Sequence, residues 1–310
     1  MDNTQVSDKI KEEVRATYAQ IARRFVQAPA SASCCGPQPA QESAIEDEAC
    51  CDSGETAQAS DCCSSSARVK VKVAAHGYTA EEVDDLPDSV AEASLGCGNP
   101  TAIASLQPGE VVLDLGSGGG IDCFLAARKV GPSGRVIGLD MTTDMIRLAR
   151  RNAKKMGVTN VDFRYGEMEE MPIPDESVDV IISNCVINLS PDKDAVFAEA
   201  YRVLKPGGRM AVSDIVTDGP LPDVIRDHVN WAGCVAGALD ESIYLNKMRA
   251  AGLTDVAVTQ KRIAGIGGLL ASEDVQTMLA QMDPPLSVEW LQGQLENKIA
   301  SVIVEARKPE

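Results

Sequence analysis

The stretch that decides the fold is VVLDLGSGGG, residues 111–120. Its first five residues form a short apolar run entered from Pro108-Gly109 and leading directly into glycines, the pattern of a buried parallel strand that ends in a loop. A helical pattern follows from Ile121 to about Val130 and is stopped by Gly131-Pro132. RVIGLD (135–140) reads as the next strand, and a helix capped by Thr142 runs to about Met156, with Gly157 as its stop. NVDFRYGE (160–167) and VDVIISN (178–184) are two more strands, and a helix over roughly 192–204 leads through KPGG into the strand RMAVSDIV (209–216). After a helical stretch over about 222–251, DVAVTQKR (255–262) and SVIVEAR (301–307) read as the closing strands. Strand-helix alternation of this kind predicts a doubly wound α/β sheet, and crossover handedness leaves few other topologies.

The rest of the chain bounds what such a sheet serves. With 310 residues, 44% of them hydrophobic, the chain can bury a large core. A formal charge of −17 argues against nucleic acid and against an anionic membrane surface, since both need clustered Lys and Arg. No run approaches the apolar length of a membrane span, and the N-terminus has no apolar leader core, so a cytoplasmic protein is expected. Residues 7–26 show helical spacing of Ile10, Val14, Ile21 and Phe25. Residues 28–67 then hold seven acidic residues, no Lys or Arg, and six cysteines in the pairs Cys34/Cys35, Cys50/Cys51 and Cys62/Cys63. Ile45 is the only large aliphatic side chain there, too little to offset the entropy of ordering, so a mobile arm is expected. Ten cysteines in a reducing compartment point to soft-metal binding or redox chemistry. The adjacent pairs lack the spacing of zinc ligands, and no catalytic metal ion is expected.

The site of an open α/β sheet lies at the carboxyl ends of its strands. Four loops carry suitable chemistry there: Asp114 with Gly116, Ser117 and Gly118; Asp140-Met141; Gly166-Glu167-Met168; and Asn184. The dinucleotide fingerprint G-x-G-x-x-G fails, because its third glycine falls on Ile121. The spacing G-x-G-x-G, together with LKPGGRMAVSD (204–214), instead resembles the class I methyltransferases that use S-adenosylmethionine. That resemblance implies a Rossmann-like doubly wound sheet and S-adenosylmethionine held by the residues just named. His76, His228, Trp231 and Trp290 read as structural, and Cys123 as a small buried hydrophobe. Cys185, at the end of the fourth strand, is better placed for the transferable methyl.

Four tracts sharpen this: GYTAEEVDDLP (77–87), LGCGNP (95–100), SNCVINLSPDK (183–193) and GCVAGAL (233–239). Over about residues 76–260 the chain resembles the bacterial and archaeal arsenite S-adenosylmethionine methyltransferases. The resemblance implies that Cys97, Cys185 and Cys234 bind As(III). It also makes SCCG (33–36) an N-terminal cysteine element, with Cys34 and Cys35 as an extra ligand or redox partner of Cys97. It further implies arsenic detoxification, with arsenite arriving free or as glutathione or protein-thiol complexes, and thioredoxin or another thiol reductant as partner. The expected organisation is an N-terminal helix and mobile acidic Cys-rich arm (1–67) that captures As(III), and a cofactor-binding core (68–214). Residues 215–310 add a substrate-side region, in which a helical insertion over 215–251 carries Cys234 over the site. No chemistry attaches to residues 263–299. Two other readings share parts of this pattern: a quinone- or sterol-type methyltransferase, which gives the three cysteines no joint role, and a thiol-based metalloid-sequestering protein that transfers nothing.

Overall fold

The apolar runs pair in the order β3-β2-β1-β4-β5-β8-β7, with a short β6 alongside β5. The computed structural model describes residues 3–26, 77–93, 98–223, 225, 234–271, 273–282 and 285–310. Cys34, Cys35, Cys97, the pairs Cys50/Cys51 and Cys62/Cys63, His76, His228 and Trp231 lie outside these residues.

Strands β1 (Val111–Leu115), β2 (Arg135–Asp140), β3 (Val161–Tyr165) and β4 (Val178–Asn184) are parallel neighbours around β1. Beyond β4 lies β5 (Leu204–Thr217), also parallel, then the antiparallel pair β8 (Ile299–Arg307) and β7 (Thr254–Ile263). The chain therefore reverses its direction of sheet growth between β1 and β4, and a crevice opens where the two loops part. The sheet is the Rossmann-like doubly wound sheet that the sequence resemblance implies.

The strands alternate cleanly between two apolar layers. Leu113, Leu115, Ile137 and Leu139 pack with Val196, Phe197 and Tyr244, from α7 (Lys193–Val203) and α8 (Glu241–Ala250). Val112, Val136, Val180 and Ile182 pack on the other face with Phe124, Leu125 and Ile146, from α5 (Ile121–Val130) and α6 (Thr143–Met156). A third cluster sits at the carboxyl end of the sheet. There Val14 of α1 (Asn3–Val26) meets Cys185, Cys234, and residues of α10 (Glu273–Gln281) and α11 (Val288–Leu295). Residues 263–299, to which the sequence attached no chemistry, thus supply cover for this end through Val275, Leu279, Leu291 and Leu295. Short helices α2 (Ala80–Val83), α3 (Asp88–Glu92), α4 (Pro100–Ile103) and α9 (Gly267–Leu270) complete the described elements.

Two expectations are corrected. The stretch 215–251 is not helical throughout: β5 runs on to Thr217, β6 (Leu239–Asp240) pairs with it and α8 begins at Glu241, while residues 224 and 226–233 lie outside the described residues. Asp240 stops a longer helix by capping α8, its side chain accepting from the Ser242 and Ile243 N–H groups. Thr142 stands at the start of α6 but makes no side-chain cap: its side chain bonds Asp140 instead, and Asp140 Oδ1 also accepts its N–H at 2.8 Å.

Candidate active site

The crevice at the switch point is lined by Asp114, Gly116, Ser117, Gly118, Asp140, Met141, Gly166, Met168, Asn184 and Cys185, so ten residues singled out from the sequence converge there. It opens to solvent and encloses about 880 Å³ of empty space when that open part is counted. Its floor is backbone. Gly116 has φ +66°, and a Cβ there would stand 2.2 Å from Val186 Cγ2, so only glycine fits. Gly118, at φ +50°, has nothing within 4 Å of where its Cβ would lie, leaving room for a ligand against the chain. Ser117 Oγ is buried on this wall with no hydrogen-bond partner among the described residues.

Asp140 organises the loop. Gly118 N–H donates to its Oδ2 at 2.9 Å and Thr142 N–H to its Oδ1. Each oxygen keeps capacity for a ligand hydroxyl. Burial raises its carboxyl above the usual range against those two bonds.

Two further carboxyl groups form an acidic end that the sequence reading only half anticipated. Asp114 is buried and accepts from Cys123 Sγ at 3.2 Å, so Cys123 serves as a packed thiol bonded to that acid. Asp122, on the first turn of α5, accepts from Tyr78 Oη at 2.9 and 3.0 Å and from Asn184 Nδ2 at 3.2 Å. Burial pushes Asp114 well up, helped by Asp122, and pushes Asp122 to about 6 against its bonds to Asn184 and Tyr78. Two buried acids, with no Lys or Arg among the described residues that line the crevice, make an end suited to a positively charged ligand. Asp122 was visible in sequence only as the polar residue after GGGI, and Tyr78 only as a member of the GYT tract.

Asn184 is bonded on both sides of Gly98, accepting its N–H at 3.2 Å and lying 2.7 Å from its carbonyl through Nδ2. The next residue, Cys185, has φ +57° and Cys234 has φ +63°, left-handed backbones that a branched or bulky side chain rarely adopts. The Cys234 thiol donates to the Cys185 carbonyl at 2.8 Å, which brings the two loops into contact. Cys185 is engaged in a disulfide, whereas Cys123 and Cys234 are free thiols. Burial raises the Cys234 thiol, and the nearby Asp214 raises it further while Lys193 opposes. Lys193 and Asp214 are themselves buried beneath the loop. Burial lowers the one and raises the other. Lys193 Nζ donates to the Ser190 carbonyl at 2.9 Å, and Asn188 Nδ2 to the Ile215 carbonyl at 2.6 Å, pinning the Cys185 loop to β5.

Glu167 is placed differently from the expectation. It turns out of the crevice to α1, where Lys11 Nζ lies 2.6 Å from Oε2 and Arg15 Nη2 meets Oε1. Its pairing is with a helix that nothing in the sequence pattern brings there. Through that helix Val14 and Tyr18 join the crevice wall, two residues sequence reasoning missed.

A family model described as a methyltransferase domain matches residues 106–252. Among solved structures, an arsenic(III) S-adenosylmethionine methyltransferase from Chlamydomonas reinhardtii is 34% identical, with TM-score 0.60, covering 78% of this chain and 73% of that one. This chain belongs to the arsenite methyltransferase family. Within that family, the arsenite methyltransferase of Halobacterium salinarum is 48% identical over 242 residues, 76% of this chain and 56% of the relative. The human arsenite methyltransferase is 42% identical over 169 residues, 51% of this chain and 44% of its own. The chain thus spans about half the length of the curated arsenite methyltransferases it matches. None of the helices among the described residues is long and apolar enough to cross a membrane.

Proposed function

We propose that this protein transfers methyl groups from S-adenosylmethionine to As(III) held by Cys97, Cys185 and Cys234. The observation that carries the reading is the meeting of Cys185 and Cys234, both on left-handed backbone, at the rim of the crevice. Cys97 itself lies outside the described residues; what supports including it is that its sequence neighbour Gly98 has both backbone polar groups bonded to Asn184, the residue before Cys185.

The residues present fit the cofactor. Asp140 would accept from its ribose hydroxyls, and Gly116 to Gly118, with the partnerless Ser117 Oγ, would face its amino-acid portion. Met141, Gly166 and Met168 would flank its base. Asp114 and Asp122 would answer its ammonium charge. Glu167 is assigned no direct contact; it acts by holding α1. The bound sulfonium supplies an electrophilic methyl group, and this chain's part is to orient the acceptor in line with it.

As(III) suits that role without a general base. It is soft, binds three thiolates as a trigonal pyramid, and keeps a lone pair pointing outward. Each transfer formally takes arsenic to the +5 state, so two electrons must restore +3. A thiol pair closing to a disulfide supplies them, and the disulfide already engaging Cys185 supports that chemistry. A thioredoxin-type reductant then resets the thiols, with Cys34 and Cys35 as candidate redox partners or extra ligands. Arsenite delivered as a glutathione complex exchanges onto the site thiol by thiol, and the cytoplasm is the fitting compartment.

The test combines protein, S-adenosylmethionine, arsenite and thiol reductant, with quinone and sterol acceptors in parallel. Mono- and dimethylated arsenic is the expected product. Cys185→Ser and Cys234→Ser should each abolish it while cofactor binding persists. Wild-type rate in Cys185→Ser, or methylation of a quinone or sterol instead, would overturn the reading. Binding of As(III) without transfer would reduce the protein to metalloid sequestration.

A further inference from the structure

Helix α1 lies against the crevice with a buried stripe at helical spacing. Val14 is 1% exposed and Ala22 is fully buried, and Tyr18 falls one turn from each, on the same face. Ion pairs fix the helix at both ends. Lys11 Nζ lies 2.6 Å from Glu167 and 3.2 Å from Glu169, Arg15 meets Glu167, and Arg23 Nε lies 2.7 Å from Asp144 Oδ2. Held this way, Tyr18 lines the crevice together with Asp140 and Cys185. Its hydroxyl forms a hydrogen bond with the Cys234 sulfur. One side chain therefore touches both halves of the site.

We propose that Tyr18 is the positioning residue that sets the arsenic thiols in register with the cofactor. Its ring forms a wall of the cofactor crevice and its hydroxyl fixes Cys234 Sγ. This rests on the preceding reading of Cys234 as an As(III) ligand. The argument turns on what happens to Cys234 when arsenic binds. In the free protein its thiol proton is donated to the Cys185 carbonyl at 2.8 Å. Ligation replaces an As–OH or As–SR bond by As–S, and the thiol proton leaves with the departing group as water or free thiol. The sulfur then has no proton to donate, so its bond to the Cys185 carbonyl is lost. The Tyr18 hydroxyl is a donor, and its bond to sulfur survives and strengthens as the sulfur gains thiolate character. It is thus the contact that holds Sγ in place in the loaded state, where in-line transfer demands tight alignment.

Tyr18→Phe removes the oxygen and keeps the ring. In the reduced full chain, As(III) affinity read from the As–S charge-transfer absorbance should weaken about tenfold, and kcat/KM for arsenite should fall by at least as much. Cofactor affinity by calorimetry should stay within twofold. Tyr18→Ala, which also removes the wall, should weaken both ligands. In a Cys234→Ser background, Tyr18→Phe should have no further effect on As(III) binding. As(III) affinity and kcat/KM of Tyr18→Phe within twofold of wild type would overturn the proposal, as would an undiminished loss in the Cys234→Ser background. A wild-type protein that binds As(III) and methylates nothing would instead strike the proposed activity, and the ratio of Tyr18→Phe to wild-type affinity would still decide the role of Tyr18.

Discussion

The contact between Gly116 and Val186 allows a comparison of two alanine substitutions two residues apart: Gly116→Ala and Gly118→Ala. Both positions have left-handed backbone, φ +66° and +50°, so each alanine pays roughly 1–2 kcal/mol of strain. Each recovers about 0.4–1 kcal/mol from a less flexible unfolded chain. There the two part. At Gly116 the new Cβ meets Val186 Cγ2 at 2.2 Å, Cβ at 2.8 Å and Cγ1 at 2.9 Å, so rotating the valine brings no relief and its backbone must move. Overpacking of this kind adds about 1–3 kcal/mol. At Gly118 the Cβ meets nothing within 4 Å. The expected loss in unfolding free energy is therefore about 2–4 kcal/mol for Gly116→Ala and about 0.5–1 kcal/mol for Gly118→Ala. Denaturant unfolding of the unliganded, reduced protein measures both. Ligand binding should split them further. Gly118→Ala should weaken the cofactor and leave As(III) affinity intact, whereas Gly116→Ala should weaken both, because Val186 follows Cys185 directly. Equal unfolding midpoints, or full As(III) affinity in Gly116→Ala, would refute the packing argument.

Three further outcomes are expected. Asp122 is held near 6 by burial, and a cationic ligand favours its carboxylate, so cofactor affinity should fall as pH drops through 6. Without ligand the sign is opposite: the raised value makes this group's contribution to folding present below about pH 4 and lost as pH rises through 6. Calorimetric Kd values from pH 5 to 8 check the first, and a flat profile would contradict it. At Cys234, with φ +63°, Cys234→Gly should be about 1 kcal/mol more stable than Cys234→Ala, since glycine releases the left-handed strain, and thermal melts should rank them so. Finally, Glu167→Gln should cost about 1 kcal/mol and weaken the cofactor modestly by loosening α1. Added salt should reproduce that effect in the wild type and not in the variant; abolished cofactor binding at full helix protection in hydrogen exchange would instead mean direct contact.

Much of this architecture could be read from the chain. The limits of β1, β2 and β4 are those of the apolar runs 111–115, 135–140 and 178–184, because buried parallel strands are continuously apolar and sharply punctuated. Gly157 ends α6 at φ +68°, with its N–H turned back to the Ala153 and Lys154 carbonyls. The glycine loop, Asp140 and Asn184 also converge as expected, since the carboxyl ends of parallel strands share one edge. What escaped the sequence depended on partners far along the chain. Glu167 looked like a crevice residue until α1 arrived to claim it, and Tyr18 was not among the spaced residues that marked the first helix. Asp122 became an acid of the site only because Tyr78 and Asn184 close around it. Within 215–251 the periodic reading missed the short strand β6 and the Asp240 cap that starts α8, because both are set by pairing with β5 and by a single side chain.

The bond that docks α1 has a consequence for the birth of the protein. Lys11 and Glu167 are 156 residues apart, so α1 has no seat until β3 and the loop after it have been synthesised. The Gly98–Asn184 bonds span 86 residues and the Cys234–Cys185 bond 49. A growing chain therefore passes a long interval in which these contacts cannot form. On the proposed function, no three-thiol site exists during that interval, and arsenite met then would find only cysteines not yet brought together.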